Sequence, residues 1–154
     1  MERPTMERPT MKRPAPKGPA AAETPPRDDA CTVAELKEWV RAFVRRRDWE
    51  QFHTPKDLGI GLSIEAAELL EHFRFRTDDE TAARLREDGF RRQVGHELAD
   101  VLYFVLAMCN HLDFDAAELL RDKLEFNERR YPADKARGKN LKYTELDRDP
   151  AAEE

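Results

Sequence analysis

From Val33 onward, apolar residues return every three or four positions, the period of one face of an α-helix, and no run alternates with period two between turn signals. The pattern predicts an all-α chain with four main helices. Thr32-Val-Ala-Glu35 is a capping box, and Val33, Leu36, Val40, Phe43 and Val44 carry a first helix to about Arg47. Thr54-Pro55 places a cap before a proline at the first helical position. Leu58, Leu62, Leu69 and Phe73 then stripe a second helix to about Arg76. Thr77-Asp-Asp-Glu80 opens a short connecting helix that stops by Gly89. Phe90, Val94, Val101, Val105 and Leu112 stripe the longest helix, and Asp113 or Asp115 caps a last one that Pro132 ends.

Two of these helices carry carboxylates where apolar residues belong. At 100° per residue, with Glu65 at the origin, Leu58, Leu69, Leu62 and Phe73 fall between about 20° and 80°. Ile60, Ile64 and Phe75 fall between about 220° and 280°. The wedge between those arcs holds Gly61, Glu68, His72 and Glu65. On the longest helix Glu97 falls between Phe104 and Val101, and Asp100 between Ala107 and Phe104. Antiparallel packing of the two helices would bring four carboxylates together.

Four like charges beside apolar surface are unfavourable unless a cation neutralises them. Oxygen donors select Mg²⁺, Mn²⁺ or Ca²⁺, and Mg²⁺ in such a site also takes substrate phosphates. The pattern is therefore a candidate clamp for a nucleotide's phosphate chain. Acidic pairs at this spacing are also common on solvated helix faces, so spacing by itself leaves that reading open. A di-iron bundle needs Glu-x-x-His on two helices, whereas His72 lies four residues after Glu68 and His96 is adjacent to Glu97.

Composition narrows the function classes. Lys and Arg number 27 against 32 Asp and Glu, a net charge of −5, which argues against general binding to nucleic acid or an anionic membrane. No apolar run approaches the roughly 20 residues of a membrane span. Cys31 and Cys109 suit neither a disulfide framework nor a Cys-rich zinc site, which points to a reducing cytoplasm. Residues 1–29 hold a repeated Met-Glu-Arg-Pro-Thr unit and seven of the ten prolines, the composition of a disordered tail. The folded domain is expected over residues 30–146, followed by an acidic tail over 147–154.

Glu65-Ala-Ala-Glu68 followed by Glu97-Leu-Ala-Asp100 resembles the signature of the MazG-like all-α nucleotide pyrophosphohydrolases. Asp48-Trp-Glu-Gln-Phe-His53-Thr-Pro55, Lys123-x-x-x-Asn127, Arg130-Tyr-Pro132 and Lys142-Tyr-Thr-Glu-Leu146 resemble the branch that contains the dCTP pyrophosphatases. The resemblance implies a four-helix-bundle-like core, and Mg²⁺-dependent hydrolysis of a (deoxy)nucleoside triphosphate to the monophosphate and pyrophosphate, with Mn²⁺ as a possible substitute. It makes Glu65, Glu68, Glu97 and Asp100 the metal-binding and catalytic set. It puts Lys123 and Asn127 on the phosphates and sugar, Arg130 and Tyr131 on phosphates or on the helix end before Pro132, and Lys142 and Tyr143 in substrate closure or subunit packing.

For the base, the resemblance implies Trp49, His53 and Phe75. The dCTP-preferring members of eukaryotes carry a base-contacting histidine where Val40 stands here and a tryptophan where Phe75 stands, so a broader pyrimidine or general (d)NTP preference is expected. Trp39 reads as a core or interface residue. Members of the family assemble, and the wide apolar arcs exceed what one helical layer covers. A homotetramer is expected, otherwise a homodimer. Two rivals are a phosphoribosyl-ATP pyrophosphohydrolase, which generally lacks the Asp-Trp-Glu-Gln-Phe and Lys-Tyr-Thr-Glu-Leu motifs, and a non-catalytic helical module.

Overall fold

The computed structural model describes residues 27–146, and the N-terminal repeat and acidic C-terminal tail lie outside them. Among the described residues there are α-helices and 3₁₀ turns and no strand, as the periodicity predicts. The helices are α1 (Val33–Arg45), α2 (Pro55–Glu71), α3 (Asp78–Arg84), α4 (Asp88–His111), α5 (Ala116–Arg130) and α6 (Ala133–Ala136). None is long and apolar enough to cross a membrane.

Local chemistry sets the boundaries. Thr32 and Thr77 each close a complete capping box, with Glu35 and Glu80 returning a carboxylate to the cap N–H. Such caps contribute about 1 kcal/mol each. Thr54 caps α2 ahead of Pro55, and Asp115, not Asp113, caps α5. Two helices stop earlier than their apolar stripes predict. After α1, Asp48 takes φ +54°, and after α2, Phe75 takes φ +58°. A left-handed residue reverses the chain before the helical period runs out. The four-residue α6 after Pro132 has no signature in the apolar pattern.

α2 and α4 run antiparallel, since Gly61 meets Phe104 while His72 meets Phe90. α1 also packs antiparallel on α4, joined by Arg41 Nη2 donating to Asn110 Oδ1 at 2.9 Å and Lys37 Nζ donating to the Phe114 carbonyl at 2.6 Å. Val44 from α1, Leu58 from α2, and Val94, Leu106 and Ala107 from α4 are buried between them.

α5 behaves differently. It contributes no buried side chain. A cavity of about 1020 Å³ separates it from α1 and α4, walled by Val33, Leu36, Leu102, Val105, Leu120 and Leu124. Ile60 and Ile64 on α2 and Leu98 on α4 are exposed as well. The second apolar arc predicted on α2 is thus left uncovered within one chain, in line with the excess of apolar surface read from the sequence.

Candidate metal centre and nucleotide site

Glu65 and Glu68 stand one turn apart on α2, and antiparallel packing sets them opposite Glu97 on α4. One carboxylate oxygen from each of the three lies within 4.8 Å of the others. Asp100, the fourth residue of the predicted set, lies outside that group of three, one turn further along α4. Burial, and then the charges of Glu68, Asp100 and Glu97, push the Glu65 carboxyl above its ordinary value. The residues fit a hard divalent cation. They supply oxygen donors alone, and their mutual repulsion is relieved by positive charge.

His72 completes the surroundings. Its Nε2 is 3.8 Å from Glu97 Oε1. Its ring packs edge-on against the buried Phe90 at 5.5 Å. The sequence had set His72 in the same wedge as Glu65 and Glu68, and the spacing gave it no role.

The base-reading candidates divide. Trp49 lies edge-on to Phe43 at 5.8 Å, and the Arg47 guanidinium covers the Phe43 ring at 3.6 Å. Tyr103, which the sequence reading passed over, touches Phe43, His53 and Phe104 and links the Trp49 loop to α4. Its signal was its place three residues after Asp100 on the same helix. His53 and Val40 line a cavity of about 210 Å³ with Arg41, Glu50, Asn110 and His111. Phe75 projects from the end of α2, 90% exposed, with Arg74 stacked over its ring at 4.5 Å. Trp39 is half-buried on α1.

The remaining predicted residues gather around the end of α5. Arg130 Nη2 donates to Tyr143 Oη at 2.8 Å and its guanidinium covers the Tyr143 ring at 4.0 Å. Tyr131 packs edge-on to Tyr143 at 6.0 Å. Lys123 Nζ sits 4.7 Å from the centre of the Phe126 ring. Asn127 is half-buried, and Lys142 precedes the last 3₁₀ turn. Among the described residues, no hydrogen bond or ion pair joins this group to the carboxylates of α2 and α4.

A model of the MazG-like family matches residues 60–146, from the turn before Glu65 through the Lys142-Tyr-Thr-Glu-Leu146 segment. The chain belongs to the MazG-like family. Among curated proteins, this MazG-like chain is similar to dCTP pyrophosphatase 1 of Homo sapiens, 36% identical over 115 residues that cover 75% of this chain and 68% of that protein. It is 33% identical to dCTP pyrophosphatase 1 of Rattus norvegicus over 122 residues, covering 79% and 72%. Among solved structures it resembles a pyrophosphatase from Archaeoglobus fulgidus, with TM-score 0.60 and 40% identity over 64% of this chain and 91% of that one. Those relatives put the MazG-like chain on the dCTP pyrophosphatase branch.

Proposed function

We propose that this chain removes nucleoside triphosphates from the cytoplasmic pool by Mg²⁺-dependent hydrolysis to the monophosphate and pyrophosphate, with a pyrimidine or broad (d)NTP preference. The chain is a nucleoside triphosphate pyrophosphohydrolase of the MazG-like family. The observation that carries the finer reading is the convergence of Glu65, Glu68 and Glu97 within 4.8 Å. Asp100, one turn away, is the fourth metal-binding candidate.

Mg²⁺, or Mn²⁺ in its place, neutralises the triphosphate and polarises the α-phosphoryl group when held there. The chain's own residues supply the rest. Glu65, Glu68 and Glu97 fix the centre between two rigid helices. Lys123 and Arg130 bind phosphate oxygens, and Asn127, Tyr131, Lys142 and Tyr143 enclose the phosphate and sugar. Water attacks the α-phosphorus in line, the α–β anhydride bond breaks, and pyrophosphate leaves. The base enters the cavity beside His53, with Trp49 as a stacking surface, while Phe75, beyond the opposite end of α2, meets the base of a nucleotide held by a neighbouring copy. Ala107, which lines that cavity, is seven residues beyond Asp100, about 10 Å along α4. That span suits the reach of a nucleotide from its α-phosphorus to its base.

A second copy of the chain completes the arrangement. The apolar walls of the gap beside α5 are open, and the Arg130–Tyr143 group has no bond to the carboxylates of its own chain. Assembly as a homotetramer, or failing that a homodimer, covers the first and lets α5 serve a neighbour's centre.

Incubation with Mg²⁺ and a panel of dNTPs and NTPs tests the reaction. Monophosphate with pyrophosphate is expected, abolished by EDTA and by Glu68→Gln. Diphosphate with phosphate, or no turnover of any triphosphate, overturns the reading. For assembly, sedimentation at micromolar concentration should show an oligomer that Leu102→Asp and Leu120→Asp dissociate, and a monomeric wild-type chain refutes it.

A further inference from the structure

We infer that His72 is a positioning residue of the metal centre, one that holds the Glu97 carboxylate through its Nε2–H without itself binding the ion. The inference rests on the reading of Glu65, Glu68 and Glu97 as metal ligands. His72 follows Glu68 by one turn of α2 and faces α4, so its ring lies on the carboxylate side of the helix pair. Nε2 stands 3.8 Å from Glu97 Oε1, and both side chains are 22% exposed. Turning the carboxylate by less than an ångström brings this pair into hydrogen-bond range.

Three features separate this from an incidental surface contact. The ring is fixed, edge-on against Phe90, a residue only 4% exposed that Arg84 covers from its face at 4.3 Å. The backbone is fixed too, because His72 N–H donates to the Leu69 and Leu70 carbonyls and its own carbonyl accepts from Arg76 Nε at 3.0 Å. Among the described residues, Glu97 is the polar side chain that His72 meets. A residue needed for packing alone against Phe90 could be leucine or phenylalanine, which would carry no donor toward Glu97.

The chemistry follows from the donor count. A neutral imidazole offers one N–H. With that proton on Nε2, His72 occupies one oxygen of Glu97 and leaves the other for the cluster formed with Glu65 and Glu68. Ligating carboxylates held in this way keep their orientation as the ion arrives, and losing the outer partner typically weakens metal binding about 10- to 100-fold. His72 is not one of the three donors that come within 4.8 Å of one another, which favours the outer role over direct ligation.

Mn²⁺ binding to the full chain, followed by the electron paramagnetic resonance of the free ion, tests this without recourse to turnover. His72→Leu should weaken binding about tenfold or more while the melting temperature holds or rises. His72→Gln, which returns an N–H donor at similar reach, should restore most of it. Wild-type affinity in His72→Leu, or no recovery in His72→Gln, overturns the inference and leaves the carboxylate centre standing. A ¹⁴N coupling from a directly bound imidazole that vanishes in His72→Leu overturns it in favour of ligation. Failure of the wild-type chain to bind Mn²⁺ removes the carboxylate reading, and this inference with it.

Discussion

Gly61 and Phe104 are in such close apposition that a Cβ built on the glycine would lie 2.3 Å from the phenylalanine ring. Gly61 is one turn before Glu65 on α2, and Phe104 is one turn after Asp100 on α4. The spacing of the two helices at the carboxylates is therefore set beside them by a missing side chain. Gly61→Ala gains about 1 kcal/mol of helix propensity. Overpacking costs about 1–3 kcal/mol, and it dominates because Tyr103 braces the Phe104 ring edge-on at 5.2 Å. The variant should melt at lower temperature and bind Mg²⁺ more weakly, and Phe104→Leu in the same chain should restore both. Thermal melts and metal titration of the single and double variants check this.

The repulsion around Glu65 predicts a pH-dependent stability. Its carboxyl is raised by burial and by Glu68, Asp100 and Glu97, so between the ordinary carboxylate value and the raised one the folded chain holds more protons than the unfolded. Stability therefore falls as pH rises through that window. In EDTA, the melting temperature should drop across it, and Glu65→Gln should flatten the drop. Mg²⁺ should stabilise the chain more at neutral pH than in acid. An equal effect of Mg²⁺ at both would contradict the centre.

His53 moves in the opposite sense. Burial and then the nearby His111 hold its imidazole below the ordinary histidine value, against a smaller opposing pull from Glu50. The folded chain then binds fewer protons than the unfolded between the lowered value and the ordinary one, so stability is lost as pH falls through that window. Proton NMR should find His53 titrating low, and His111→Gln should move it upward. No movement would mean that His111 does not face His53 in solution.

Phe75 combines φ +58° with 90% exposure, a left-handed backbone under an aromatic ring that packs against little. The backbone costs about 1–2 kcal/mol, and the Arg74 contact returns about 0.5–1 kcal/mol. Phe75→Asn, which tolerates that conformation, should raise stability by about 0.5–1 kcal/mol. It should also raise KM for nucleotide while kcat changes little. Unchanged KM would take Phe75 out of substrate binding.

What the sequence by itself determined is local. Thr32, Thr54, Thr77 and Asp115 cap their helices because each cap closes within three residues, so chain separation alone carries the information. The wedge of Glu65 and Glu68 between apolar arcs, and its counterpart at Glu97, followed from helical geometry in the same way. Gly95, inside α4 where alanine would be about 1 kcal/mol more favourable, gains no account from either level, since nothing lies within 4 Å of a Cβ placed there. The tertiary structure decided what depends on how two helices slide past each other. It drew Glu97 in with Glu65 and Glu68 and left Asp100 one turn away. It turned His72 onto Glu97, and it stood α5 across an open gap from α1 and α4. Those outcomes depend on close contacts such as Gly61 against Phe104, between residues far apart in the chain, and helical periodicity records which face a residue occupies but not what it will meet there.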